Sequence, residues 1–154
     1  MTLRPATHAD VDAVSSMQRA SLLETYEPFL GRAAIEEFIA GGHVEGYFEE
    51  HWHQATIAVS GDEIVGVAVL AGSLLDLIWV RPDSRSEGIG SALMDAAERQ
   101  AAAETGVLTL EVWDVNRRAV AFYERRGFSV RAAAEDPQTG LMKLHMRKAF
   151  TGLP

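Results

Sequence analysis

Leu74 to Leu93, LLDLIWVRPDSRSEGIGSAL, is the stretch whose reading decides the fold. Leu74, Leu75, Leu77, Ile78, Trp79 and Val80 make an apolar run of strand length. Pro82 ends it, because proline has no N–H to give a sheet ladder. Asp83 to Glu87 is a polar loop. After Gly88-Ile89-Gly90, the apolar residues Ile89, Leu93, Ala97 and Ala101 recur at every fourth position, which marks a helix with one apolar face. The order is therefore strand, glycine-containing loop, helix N-terminus. Such a junction is an anion site: the first helical turn has unpaired N–H groups and the positive end of the dipole. Glycines at 88 and 90 let a phosphate approach the backbone with no Cβ in the way.

The glycine pattern discriminates among phosphate ligands. A Walker A loop needs Gly-Lys-Ser/Thr, and Gly90 is followed by Ser91-Ala92, which argues against that mode of ATP or GTP binding. The dinucleotide pattern GxGxxG is a closer miss. Gly88 and Gly90 fit, and Glu111 lies about 20 residues on, as that motif requires. Leu93, however, stands where close helix–strand packing needs a small residue, and a long loop replaces the tight turn.

Working outward, the chain reads as one domain over residues 1–154. It is 47% hydrophobic and 23% charged, has no cysteine and carries a formal net charge of −8. There is no disulfide framework and no cysteine nucleophile. The acidic balance disfavours a nucleic-acid binder, which would show a basic patch; it mildly favours cationic partners such as amines, and reads more simply as solubility. No apolar run has membrane-span length, and Met1 to Pro5 shows no signal-peptide core, so the expected location is cytoplasmic with no membrane partner.

Leu3 to Ala6 is predicted as a first strand, and Thr7 with Asp10 has capping-box spacing. Val11, Val14, Met17 and Leu22 mark the inner face of a helix. A second helix is expected from Arg32 to Ala40 with Ile35, Phe38 and Ile39 buried, stopped by Gly41-Gly42. Val44, Tyr47, Phe48, His51 and Trp52 predict a third. Thr56 to Val59 and Ile64 to Leu70 then read as a hairpin around Ser60 to Glu63. Beyond the organising helix, Val107 to Val112 is a strand and Asn116 to Arg126 a short helix. Phe128 to Ala132 and Met142 to Arg147 form a final antiparallel pair. The pattern β-α-α(α)-β-β-β-α-β-α-β-β predicts a mixed α/β (α+β) fold with helices on both faces of the sheet.

Two motifs carry a resemblance to a known family. Arg85-Ser86-Glu87-Gly88-Ile89-Gly90 fits R/Q-x-x-G-x-G/A, and Asn116 to Phe128 fits N-x-x-A-x-x-F-Y-x-x-x-G-F at Asn116, Ala119, Phe122, Tyr123, Gly127 and Phe128. In this order and spacing they resemble the GNAT superfamily of acyl-CoA-dependent N-acetyltransferases. The likeness is good from Ile57 to Arg147 and weak over the first fifty residues, which in that family shape the acceptor pocket. It implies a central, mostly antiparallel sheet of about seven strands, splayed between the fourth and fifth, with acetyl-CoA as cosubstrate and no metal. It also implies direct attack of a primary amine on the thioester through a tetrahedral intermediate. The amine would be a small molecule, a peptide N-terminus or a lysine, and a homodimer is a common assembly.

The resemblance further implies residue roles, each of which has a plainer alternative. Main-chain groups of Ile78, Trp79 and Val80 would pair with the pantetheine, and the amide of Ile78 or Val80 would hold the oxyanion. Amides from Ser86 through Glu87, Gly88, Ile89 and Gly90 to Ser91 would bind the pyrophosphate, with Arg85 adding charge. Arg85 reads equally as a solvated loop residue. Asn116 reads as a helix N-cap, a cofactor contact or both. Tyr123 reads as a core aromatic or as the donor to the leaving thiolate. Full proton transfer from a phenol to a thiolate is uphill by about 2 kcal/mol, so Tyr123 either has a lowered pKa or mainly donates a hydrogen bond. Glu111 is the first choice for a base that neutralises the amine, with Asp76, Glu24 and Tyr26 as others. His51 and His53, two apart on a helix, do not face each other, so no metal site is expected. A non-catalytic acyl-CoA-binding regulatory domain is the alternative function.

Overall fold

The computed structural model describes residues 1–150, and residues 151–154 of the expected domain lie outside the described residues. In chain order the strands are β1 (Thr2–Pro5), β2 (Ala55–Ser60), β3 (Glu63–Ala71), β4 (Leu74–Val80), β5 (Val107–Trp113), β6 (Ser129–Glu135) and β7 (Met142–Ala149). The helices are α1 (Val11–Leu30), α2 (Arg32–Ala40), α3 (His43–His51), α4 (Ile89–Glu104) and α5 (Arg117–Arg125). Hydrogen-bonded neighbours run β1-β2-β3-β4-β5-β7-β6 in one seven-stranded sheet. The described ladders are antiparallel except that of β4 with β5, which is parallel.

Two compact units divide the chain: residues 1–70 with 77–96, and residues 71–76 with those from 97 onward. In the first unit the helices form for the reasons read from sequence. The Asp10 carboxylate accepts from the Thr7 N–H at 2.7 Å and hydroxyl at 3.1 Å, closing the turn that launches α1. Arg4 grips the same carboxylate at 2.9 Å and holds its pKa down to about 2. Val11, Val14, Met17 and Leu22 are buried as their spacing requires. Ile35 is buried too, but Phe38 is 48% exposed, against expectation. It stacks instead on the His43 ring, centroids 4.9 Å apart.

The apolar face of α4 packs as predicted, with Ile89 and Leu93 buried. One residue on β3 governs that packing. A Cβ on Gly66 would lie 3.0 Å from Ile89 Cγ2 and Leu93 Cδ1 and 3.3 Å from the Trp79 carbonyl. Glycine there lets the first turn of α4 sit directly against the sheet.

In the second unit, the β4–β5 ladder comprises only Leu74↔Thr109 and Leu75↔Leu110. The β5–β7 ladder, by contrast, extends over seven pairs from Val107↔Ala149 to Trp113↔Lys143. Leu108, Leu110 and Val112 face inward and alternate with Thr109, Glu111 and Trp113. Glu98 of α4 is 8% exposed. It accepts from Arg126 Nε at 2.8 Å and is paired with Lys148, so it ties α4 to the end of α5 and to β7.

Candidate active site

Within the first unit, β4 and its exit are held by side chains on α1. Trp79 is 5% exposed, and its Nε1 donates to Ser21 Oγ at 2.9 Å. Ser21 in turn donates to the Met17 carbonyl, so the indole is locked by a satisfied buried hydroxyl. Tyr26 packs on the same ring, centroids 5.5 Å apart. Burial pushes the Tyr26 phenol up from its ordinary value, against the opposing charge of Arg85. Tyr26 therefore keeps its proton at neutral pH, which argues against it as a base.

The loop after β4 is built on Arg81. Its amide donates to the Val65 carbonyl at 2.9 Å, and its guanidinium reaches Glu63 at 3.0 Å and Asp83 at 2.6 Å. The next arginine, Arg85, turns toward α1 and donates to Thr25 Oγ1 at 3.1 Å. The backbone then takes positive φ at Ser86 (70°) and Gly88 (82°), which turns successive amides outward. The first hydrogen bond of α4 runs from the Ala92 N–H to the Gly88 carbonyl at 3.0 Å. Among the described residues, no amide from Ser86 to Ser91 donates a main-chain hydrogen bond. A Cβ at Gly88 would meet nothing within 4 Å, and one at Gly90 would meet only Val80 Cγ2 at 3.7 Å. Open amides, a helix N-terminus and bare glycine backbone suit a pyrophosphate.

The second unit carries the other motif. Asn116 caps α5, its Oδ1 accepting from the Ala119 N–H at 3.4 Å, so the capping reading holds. Tyr123 is 8% exposed, and its ring meets Phe128 edge-on at 5.9 Å and Phe122 at 5.6 Å. The Tyr123 carbonyl accepts from both the Arg126 and Phe128 N–H groups at 3.1 Å, which fixes the end of α5. Glu111 lies on the outward row of β5, with Lys143 Nζ at 3.4 Å and His145 Nδ1 at 3.9 Å. Sequence reasoning missed both partners. Only strand register brings residues so far apart in the chain together, although the strand from Met142 to Arg147 was itself legible.

The sequence pattern of the acetyltransferase (GNAT) domain family matches residues 14–150. The chain belongs to the GNAT acetyltransferase family. A peptidyl-lysine N-acetyltransferase, YjaB of Salmonella typhimurium, is 30% identical to this acetyltransferase over 143 residues, covering 91% of each chain. The solution structure of apo YjaB from Escherichia coli matches with a TM-score of 0.74 at 25% identity, covering 99% of this chain and 98% of that one. A PaiA N-acetyltransferase of Thermoplasma acidophilum, solved in complex with coenzyme A, shares the fold with a TM-score of 0.79 at 18% identity, covering 97% and 98%. The GNAT chain is thus an acyl-CoA-dependent acetyltransferase, and acetyl-CoA is its cosubstrate.

Proposed function

We propose that this chain is a single acetyltransferase domain that moves the acetyl group of acetyl-CoA to the ε-amine of lysine in a protein or peptide. The observation that carries the acceptor is the 30% identity, over 91% of both chains, to a peptidyl-lysine N-acetyltransferase. The excess of acidic residues supports a cationic acceptor. The proposal includes a cytoplasmic location, where acetyl-CoA and lysine-bearing proteins meet.

In this reading the amides from Ser86 to Ser91 hold the pyrophosphate, and Arg85 adds positive charge beside them. The main chain of Ile78, Trp79 and Val80 lines the pantetheine, and the amide of Ile78 or Val80 faces the developing oxyanion. The Asn116 side chain keeps its amide NH2 end for the cosubstrate while its oxygen caps α5. Tyr123 donates from its hydroxyl to the departing sulfur, and Glu111 is the carboxylate that serves removal of the proton from the acceptor ammonium.

The test is mass spectrometry of a lysine-containing peptide incubated with acetyl-CoA and enzyme. A mass gain of one acetyl group on the ε-amine is expected. Tyr123→Phe should lower kcat by about a hundredfold or less, with acetyl-CoA affinity unchanged by calorimetry. Acetyl-CoA binding without transfer to lysine would overturn the acceptor assignment.

A further inference from the structure

The β5–β7 ladder places His145 directly opposite Glu111. Across that pair the His145 Nδ1 faces Glu111 Oε1 at 3.9 Å, while Lys143 Nζ lies 3.4 Å from Oε2. Both oxygens of the carboxylate therefore face a positive or protonatable group. The other imidazole nitrogen does not share this engagement: among the described residues, His145 Nε2 makes no hydrogen bond, and the side chain is 44% exposed. On its far side His145 is paired with Ala132, which has no polar group to cover the ring. The β4–β5 ladder ends at Leu75↔Leu110, so Asp76 and Glu111 are the next residue on each strand. Strand alternation puts Asp76, Glu111 and His145 on one face of three neighbouring strands.

We propose that His145, facing Glu111, is the group that takes the proton from the acceptor ammonium. The proposal rests on the lysine-acetyltransferase reading above and deepens it. A carboxylate oriented toward Nδ1 favours the tautomer with the proton on that nitrogen and leaves the Nε2 lone pair as the acceptor. The choice of imidazole over carboxylate follows from ordinary affinities for protons. Moving a proton from a lysine ammonium to a carboxylate is uphill by about six powers of ten, and to an imidazole by about four. Lys143 strengthens the distinction, because it neutralises the carboxylate that would otherwise compete.

The ammonium loses one proton to Nε2, and the freed lone pair forms the C–N bond at the acetyl carbon, giving a tetrahedral oxyanion whose collapse breaks the C–S bond. The sulfur takes a proton from the Tyr123 hydroxyl, and the second proton leaving nitrogen returns to the Tyr123 oxygen. His145 then releases its proton to solvent. The charged groups on this face are the Glu111 and Asp76 carboxylates and the Lys143 and Arg147 cations, and Asp136 lies 3.8 Å from Lys143 Nζ. On β6 the residues paired with this row are uncharged, and Arg131 sits in the bulge beside Ala132, next to His145.

The experiment is the pH profile of kcat/KM for a lysine-containing peptide at saturating acetyl-CoA, run beside an NMR titration of the His145 ring. Wild type should show an acidic limb in the imidazole range. His145→Gln should lose that limb, turn over at least tenfold more slowly near neutral pH and recover as the peptide amine deprotonates by itself. Glu111→Gln should move the limb and the ring titration together to lower pH. An unchanged profile in His145→Gln overturns the proposal, as does loss of the limb in Glu111→Gln with the ring titration unmoved. If wild type binds acetyl-CoA but acetylates no lysine peptide, it is the acceptor reading that fails. The ring titration still decides the dyad: a midpoint shifted by Glu111→Gln supports it, and an unshifted one overturns it.

Discussion

Gly88 and Gly90 look alike in sequence but do different work, and substituting each by alanine separates them. Gly88 sits at φ 82°, where a side chain is strained whatever the space, so Gly88→Ala should cost about 1 kcal/mol or more of stability. Gly90 is inside α4 without positive φ, and its Cβ would make only an ordinary contact with Val80. Gly90→Ala should therefore leave the melting temperature unchanged or slightly raised, since alanine is the better helix former. The same methyl stands where the phosphate must approach, so acetyl-CoA affinity should fall about tenfold or more. Calorimetry and thermal melts on one preparation check both halves. That contrast was not legible in sequence, where the two glycines were one motif. The motif itself was legible, as was the pairing of Asn116 with a helix start. Phe38 was misread because helical spacing reports which residues share a face, not how much of that face is covered.

At the scale of elements, the close seat of α4 on β3 and the ionic tie behind it make separable predictions. Gly66→Ala forces a methyl against Ile89, Leu93 and the Trp79 carbonyl at 3.0 to 3.3 Å. Overpacking of this kind costs about 1–3 kcal/mol, and relief requires the first turn of α4 to move. Because that turn presents the open amides, acetyl-CoA affinity should fall along with the denaturation midpoint. Glu98→Gln acts in the other unit. It leaves Arg126 and Lys148, with side chains 22% and 26% exposed, without their carboxylate. The expected loss is about 3 kcal/mol in denaturant unfolding. Affinity for acetyl-CoA should survive wherever the variant is still folded, because Glu98 lies about two turns along α4 from the last of the amides. Every strand and helix here was legible from period and punctuation, but α1 runs on to Leu30 through Pro28, well past the Leu22 at which its apolar spacing ended. Neither Gly66 nor Glu98 announced its role, because a lone glycine in a strand and a lone glutamate on a helix gain meaning only from what packs against them.

At the scale of the molecule, charge is the property that the fold distributes and the sequence only totals. The net charge of −8 is concentrated in the first unit, where residues 11–54 hold eight carboxylates and two arginines. Some of these are neutralised locally, as where Arg19 pairs with Glu45 and Arg32 with Glu27 and Glu36. The surplus remains, and it lies in the part of the chain where the resemblance to the family is weakest and the acceptor least legible. A field of this sign attracts a lysine-bearing peptide and repels the anionic cosubstrate. Its range shrinks from about 30 Å at 10 mM salt to about 3 Å at 1 M. Raising the salt over that range should therefore lower kcat/KM for a lysine peptide severalfold, through KM rather than kcat. The value for acetyl-CoA should hold steady or rise, because screening removes a repulsion. Steady-state kinetics at four or five ionic strengths, varying one substrate at a time, would detect the opposite slopes. Parallel slopes would mean that the acidic helices do not face the path of the acceptor, and the cationic acceptor would then have to be recognised by contacts within the site alone.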